Sequence, residues 1–162
     1  MLNAVLEQHN SAYRVLDGVL VPITNTTELQ AIDEAAAIPG DRLAGVREHI
    51  SASIALFSKR PQPDYRNSIK ESISALEGLA QVLAGKEGAT LPEALKLLEK
   101  VAPMHPALRG ALDKLYAYTS DAHGIRHALS DDGSSASFED AKFMLVLSSA
   151  LVNYLAARAV RS

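Results

Sequence analysis

The sequence predicts an all-α fold, an up-and-down helical bundle with one small β-hairpin near its N-terminus. Three observations lead there. Apolar residues make up 48% of the chain but aromatic ones only 5%, with Ala and Leu supplying most of the rest, which is a helix-forming palette. Apolar residues recur three and four positions apart in several long stretches, the period of one helix face. The links between those stretches are short and rich in Pro, Gly and Asp, so successive helices should lie antiparallel. At 162 residues the chain can bury one core without disulfides or metals.

Residues 2–10 read as a short helix. Residues 13–23 then read as a hairpin around Asp17-Gly18, because Asp-Gly supplies the positive φ angles of a type I′ turn. A helix over residues 27–37 follows, with Thr27 and Gln30 placed as a capping box, and Pro39-Gly40 stops it. Over residues 41–60, Val46, Ile50, Ile54 and Phe57 draw one stripe, and Pro61 and Pro63 end the helix. Asp64 can cap the next helix, striped by Ile69, Ile73, Leu76, Ala80 and Leu83 and ended by Gly85. Thr90 and Glu93 form another capping box before Leu95, Leu98 and Val101. After Pro106 comes the stripe Leu108, Leu112 and Leu115, and a short helical turn is expected over residues 125–129. Residues 131–135 read as a polar loop, and Ser137 caps a final helix running to Val160. The predicted organisation places residues 1–40 as an N-terminal helix, hairpin and short helix packed on a bundle formed by residues 41–162.

Residues 143–160 are apolar enough to raise a membrane span. Lys142, Asn153, Arg158 and the pair Ser148 and Ser149 lie in or beside that stretch, whose length is short for a span, so a buried central helix is expected. There is no cysteine, which excludes disulfides and thiolate chemistry, and Glu7, Gln8 and His9 interrupt the region where an export signal needs an apolar run. A cytoplasmic protein is expected. The net charge of −3 lacks the basic excess of a general nucleic-acid binder, so any such contact must be local.

The most basic corner is Lys59, Arg60, Arg66 and Lys70, interrupted by Asp64, and by itself it reads as a solvated helix junction. His123 and His127 are four apart, but Gly124 stands where a zinc-protease helix carries glutamate, so no metal is expected. Glu71 and Glu77 fall on different faces of one helix, which leaves a paired-carboxylate site without support. No Gly-x-Ser-x-Gly elbow, phosphate-cradling glycine loop or dinucleotide fingerprint occurs. The densest polar segment, residues 120–127, brings Asp121, His123, Arg126 and His127 into one turn-to-helix unit. There a base, a phosphate clamp and an orienting carboxylate could converge; a capped helix start with exposed polar groups is the alternative.

Three segments, DYRNSIKESISALE (residues 64–77), LYAYTSDAHGIRHAL (residues 115–129) and FEDAKFMLV (residues 138–146) continuing to Asn153 and Leu155, resemble the C-terminal helical domain of AbiJ-like abortive-infection proteins. That domain is similar to HEPN domains, so the resemblance implies an antiviral, HEPN-like bundle that dimerises and, in active members, cleaves RNA without metal or cofactor. In that chemistry an Arg steadies the scissile phosphate and a His moves the 2′-hydroxyl proton. The resemblance places Arg126 and His127 in those roles, with Arg66, Asn67, Lys70, Asp121 and His123 in support.

The family pattern spaces Arg, a polar residue and three to five more before His. Arg66-Asn67 has no His at that distance, Arg126 and His127 are adjacent, and Arg42 with His49 fits the gap but has Leu43 in the polar position. A non-catalytic helical module that dimerises or holds a defence partner therefore stands as the alternative. Family members usually carry a further domain ahead of this one, so the resemblance implies either a stand-alone form or a further N-terminal domain as a partner, and in the second case the Asp17-Gly18 hairpin is where it would dock. A homodimer is expected as well, because Phe143, Leu145, Leu147, Leu151, Val152 and Leu155 point in more directions than one packing stripe requires.

Overall fold

A computed structural model describes residues 2–100, 103–120 and 136–159. The chain is all-α with a small antiparallel hairpin: α1 (Leu2–Gln8), β1 (Arg14–Leu16), β2 (Val19–Val21), α2 (Thr26–Ala36), a 3₁₀ turn (Asp41–Leu43), α3 (Ala44–Ser58), α4 (Tyr65–Ala84), α5 (Leu91–Leu98), α6 (Pro106–Ser120) and α7 (Phe138–Ala159).

The hairpin turns as its residues dictate. Asp17 and Gly18 take φ angles of 47° and 75°, matching a type I′ turn, and Leu16 pairs with Val19. The outer edge of β1 is closed by Asn3, whose Oδ1 accepts from the Val15 amide at 2.6 Å and whose Nδ2 donates to the Val15 carbonyl at 2.8 Å. A side chain thus substitutes for a third strand and blunts an edge that would otherwise be open to pairing. Leu16, Val21 and Ile23 then enter the same core as Ile32, Ile50 and Ile73, which ties the hairpin to the helices.

The first helix boundary differs from the expected one. Asn25, not Thr27, caps α2: its side chain accepts from the Glu28 amide at 3.0 Å, while Gln30 donates to Glu34. Both Asn and Thr can cap, and the residue with extended backbone just before the first turn takes the role. The expected helix over residues 41–60 also opens differently, as the 3₁₀ turn followed by α3. Arg47 fixes that turn by donating to the carbonyls of Ile38 and Gly40 at 2.9 and 2.8 Å. Elsewhere the expected caps form, namely Asp64 on α4, the Thr90–Glu93 box on α5 and Ser137 on α7, and Gly85 ends α4 in the left-handed conformation.

Helices α3 and α4 form the expected antiparallel hairpin. Along their seam Ser53 meets Ser68 and Ser72, all fully buried. The Ser53 and Ser72 hydroxyls lie 2.7 Å apart, Ser53 Oγ donates to the Ser68 carbonyl at 2.9 Å, and Ser68 Oγ donates to the Ser53 carbonyl at 3.0 Å. Three small side chains let the helices approach closely while each of these three hydroxyls keeps a partner, so the seam leaves little desolvation cost uncompensated. On either side of this seam the apolar stripes predicted from spacing, Val46, Ile50, Ile54 and Phe57 against Ile69, Ile73, Leu76 and Ala80, are buried.

Helix α7 packs on α4 and α2 through Met144, Leu145, Val152 and Leu155, and Asn153 donates to the Ala31 carbonyl at 2.9 Å. By length and composition it is apolar enough to cross a membrane, and 39% of its most apolar window is buried in the fold. Its other side carries Phe143, 54% exposed, beside Val146, Leu147 and Ala150, with a Lys142–Glu28 ion pair of 2.7 Å at the rim.

Candidate functional site

One end of the bundle gathers the elements that carry the sequence-predicted site. Phe57 near the end of α3, Tyr65 at the start of α4 and Phe138 at the start of α7 form a ring cluster. Phe57 stacks on Phe138 at 5.2 Å between centroids, and Tyr65 meets the two at 5.9 and 6.1 Å. Offset and edge contacts of this kind add to the burial of the rings. Tyr118, near the end of α6, donates its hydroxyl to Asp140 Oδ1 at 3.3 Å, in the first turn of α7. Partial burial first, and the Asp140 charge second, push the Tyr118 hydroxyl above its ordinary value, so it stays a donor. The ends of α3 and α6 and the starts of α4 and α7 thus share one face of the molecule, as an up-and-down order requires.

On that face α4 begins with a carboxylate cap. Asp64 Oδ1 accepts from the Asn67 amide at 3.1 Å and Oδ2 accepts from Asn67 Nδ2 at 2.8 Å. The side-chain hydrogen bond from Asn67 is the main cause holding the Asp64 carboxyl below its ordinary value, with smaller help from the charges of Lys59 and Arg66. Asn67, expected as a supporting polar group, therefore spends its side-chain donor on the cap. Arg66 and Lys70 are exposed and one helical turn apart, so they share a face.

Asp64→Ala should cost about 0.5–2 kcal/mol, the usual range for a lost side-chain cap. The pH dependence has a definite sign. Because the folded carboxyl titrates below the unfolded value of about 3.9, its contribution is complete above that pH and fades as the pH falls through the folded value. Thermal melts of the wild type and the variant should therefore converge toward low pH; a gap that widens on acidification is the opposite result.

Asp121, His123, Arg126 and His127, together with the turn expected over residues 125–129 and the loop over 131–135, lie outside the described residues. The described residues on either side of them do belong to this end of the bundle. Thr119 closes α6 with Oγ1 donating to the Tyr116 carbonyl at 3.0 Å, and Ser137 opens α7 with Oγ accepting from the Asp140 amide at 3.1 Å.

A second polar contact, along the α3–α4 seam, escaped the sequence reading. His49 Nδ1 lies 2.6 Å from Glu71 Oε2, bridging α3 and α4. Arg42 and His49, set aside because Leu43 follows the Arg, line one groove that runs from His49 to the last turns of α4. Spacing within a helix cannot reveal a pair separated by 22 residues across a helix–helix seam. Among the described residues no three His, Asp or Glu side chains gather as a metal-binding set.

The described residues define a class, an all-α up-and-down bundle with Arg66 and Lys70 exposed beside its converging helix ends. The chain matches no protein-family model, no curated protein and no solved structure.

Proposed function

We propose that the chain is a HEPN-like helical domain of an AbiJ-like abortive-infection system, a cytoplasmic homodimer that cleaves RNA without metal or cofactor. The observation that carries this reading is the placement of Arg66 and Lys70 on the same end of the bundle as the described flanks of residues 121–135. Arg126 holds the scissile phosphate and His127 takes the proton from the 2′-hydroxyl. The 2′-oxygen then bonds to phosphorus, the P–O5′ bond breaks, and the leaving 5′-oxygen takes a proton from solvent. A 2′,3′-cyclic phosphate and a 5′-hydroxyl end result. Arg66 and Lys70 meet neighbouring phosphates, Asp121 and His123 support the pair, and Asn67 acts by ordering the first turn of α4.

Purified protein should cut a varied RNA pool to products with cyclic phosphate ends. His127→Ala should lower the rate about 10²–10⁴-fold, the range of general acid–base groups, and Arg126→Ala about 10²–10³-fold, the range for losing one charge-stabilising donor. An intact pool at high protein concentration ends the enzyme reading, and undiminished cleavage by both variants ends the site assignment.

The second reading is a non-catalytic module that dimerises or holds a defence partner, such as a further N-terminal domain. The exposed apolar side of α7 around Phe143 and Leu147 favours it. Salt separates the two, since RNA held through phosphates must weaken as ionic strength rises, by a slope of about 0.7 per phosphate neutralised on a single strand. Absence of RNA binding at low salt selects the module.

A further inference from the structure

The groove at the far end of α4 is built for an occupant. It lies between the start of α3 and the last turns of α4, with a volume of about 470 Å³, inside the range of about 300–1,000 Å³ common for small-ligand sites. Its floor is open because Gly45 and Gly78 have no side chains. A Cβ on Gly45 would meet nothing within 4 Å, and one on Gly78 would meet only Val46 Cγ2 at 3.8 Å, an ordinary contact. Packing therefore does not demand glycine at either position, although Gly78 sits inside a 20-residue helix that glycine weakens. Glycine at both positions leaves room for a ligand to approach the helix backbone closely.

The walls are held in place before any ligand arrives. On one side Arg47 pins the 3₁₀ turn that carries Arg42. On the other, Gln81 fastens the turn after α4, donating to the Ala89 carbonyl at 2.7 Å and accepting from the Gly88 amide at 3.3 Å, and so sets the wall bearing Lys86. Glu71 accepts from Nδ1 of His49 and orients the ring, and the protonated imidazole then has its Nε2–H to donate to a ligand. Arg42 and Lys86, both exposed, supply two positive charges against the carboxylates of Glu87 in the lining and of Glu71 behind His49, and Val46 and Val82 supply apolar contact.

We infer that this groove binds a small organic phosphate, its phosphoryl oxygens on Arg42, Lys86 and His49 Nε2 and its apolar part over Gly78 and Val82. The site is separate from the end of the bundle assigned to RNA, so each assignment stands or falls by itself. Phenyl phosphate and inorganic phosphate serve as probes, titrated into the isotopically labelled full chain. Phenyl phosphate should shift the amides of Gly45, His49 and Gly78 saturably, and inorganic phosphate should do so more weakly because it leaves the apolar floor bare. Arg42→Ala combined with Lys86→Ala should weaken phenyl phosphate about tenfold or more, a loss equal to about 1.4 kcal/mol. Gly78→Leu should fill the floor and abolish binding without lowering the melting temperature. The inference is overturned if neither probe gives a saturable shift at millimolar concentration, or if binding survives both the double charge removal and Gly78→Leu.

Discussion

Phe57→Ala should destabilise the chain by about 3–5 kcal/mol, the range for truncating a buried aromatic, out of the roughly 5–15 kcal/mol that holds a typical domain. Phe57 is fully buried and its ring touches both Tyr65 and Phe138, so three helices lose a shared contact when it is cut back. For a chain of this size each kcal/mol corresponds to about 2–4 °C, so the melting temperature should fall by about 10 °C. Phe57→Leu, which keeps more of the volume, should lose less. Loosening should also be local at first: amide exchange of the first turns of α4 and α7 should quicken before that of the Ser53–Ser72 seam. A loss below about 1 kcal/mol would mean that this end of the bundle collapses around the cavity, at the low extreme of such sites.

Phe143→Glu should leave the fold intact and dissociate the proposed homodimer. Phe143 is 54% exposed, so the monomer gives up little by losing it. In a two-fold interface the substitution acts twice, placing a carboxylate on each copy of an apolar strip that also contains Val146, Leu147 and Ala150. An aromatic anchor at the centre of an interface is worth about 2–4 kcal/mol, so its loss from both copies should raise the dissociation constant about 10³-fold or more. A closed dimer would bury at least about 1,000 Å². Sedimentation of wild type and variant at micromolar concentration reads the shift directly. A wild-type chain that sediments as a monomer removes the dimer, and a variant that remains dimeric moves the interface off α7.

The candidate site was only partly legible in the sequence. Asp64 was recognisable as a cap because the chemistry of a helix start is local, and Arg66 and Lys70 as neighbours because their four-residue spacing puts them one turn apart. The cap's use of the Asn67 side chain was not, since an Asn three residues into a helix can equally face solvent or a ligand. The His49–Glu71 pair and the groove around Gly78 were illegible for a different reason. They depend on the register of α3 against α4, and that register is set by how the buried serines and the Phe57 ring pack.

Sequence alone determined the local elements and their order. The stripe from Val46 to Phe57, the Asp17-Gly18 turn, the Thr90–Glu93 box and the Gly85 stop each depend on residues within a few positions of one another, and the backbone conformations they favour need no distant partner. Tertiary structure decided between Asn25 and Thr27 as the cap of α2 and turned residues 41–43 into a 3₁₀ turn pinned by Arg47. It also brought His49 to Glu71 and left the Phe143 side of α7 facing out, because each of those outcomes depends on the free energy of surfaces that meet only after the helices have packed.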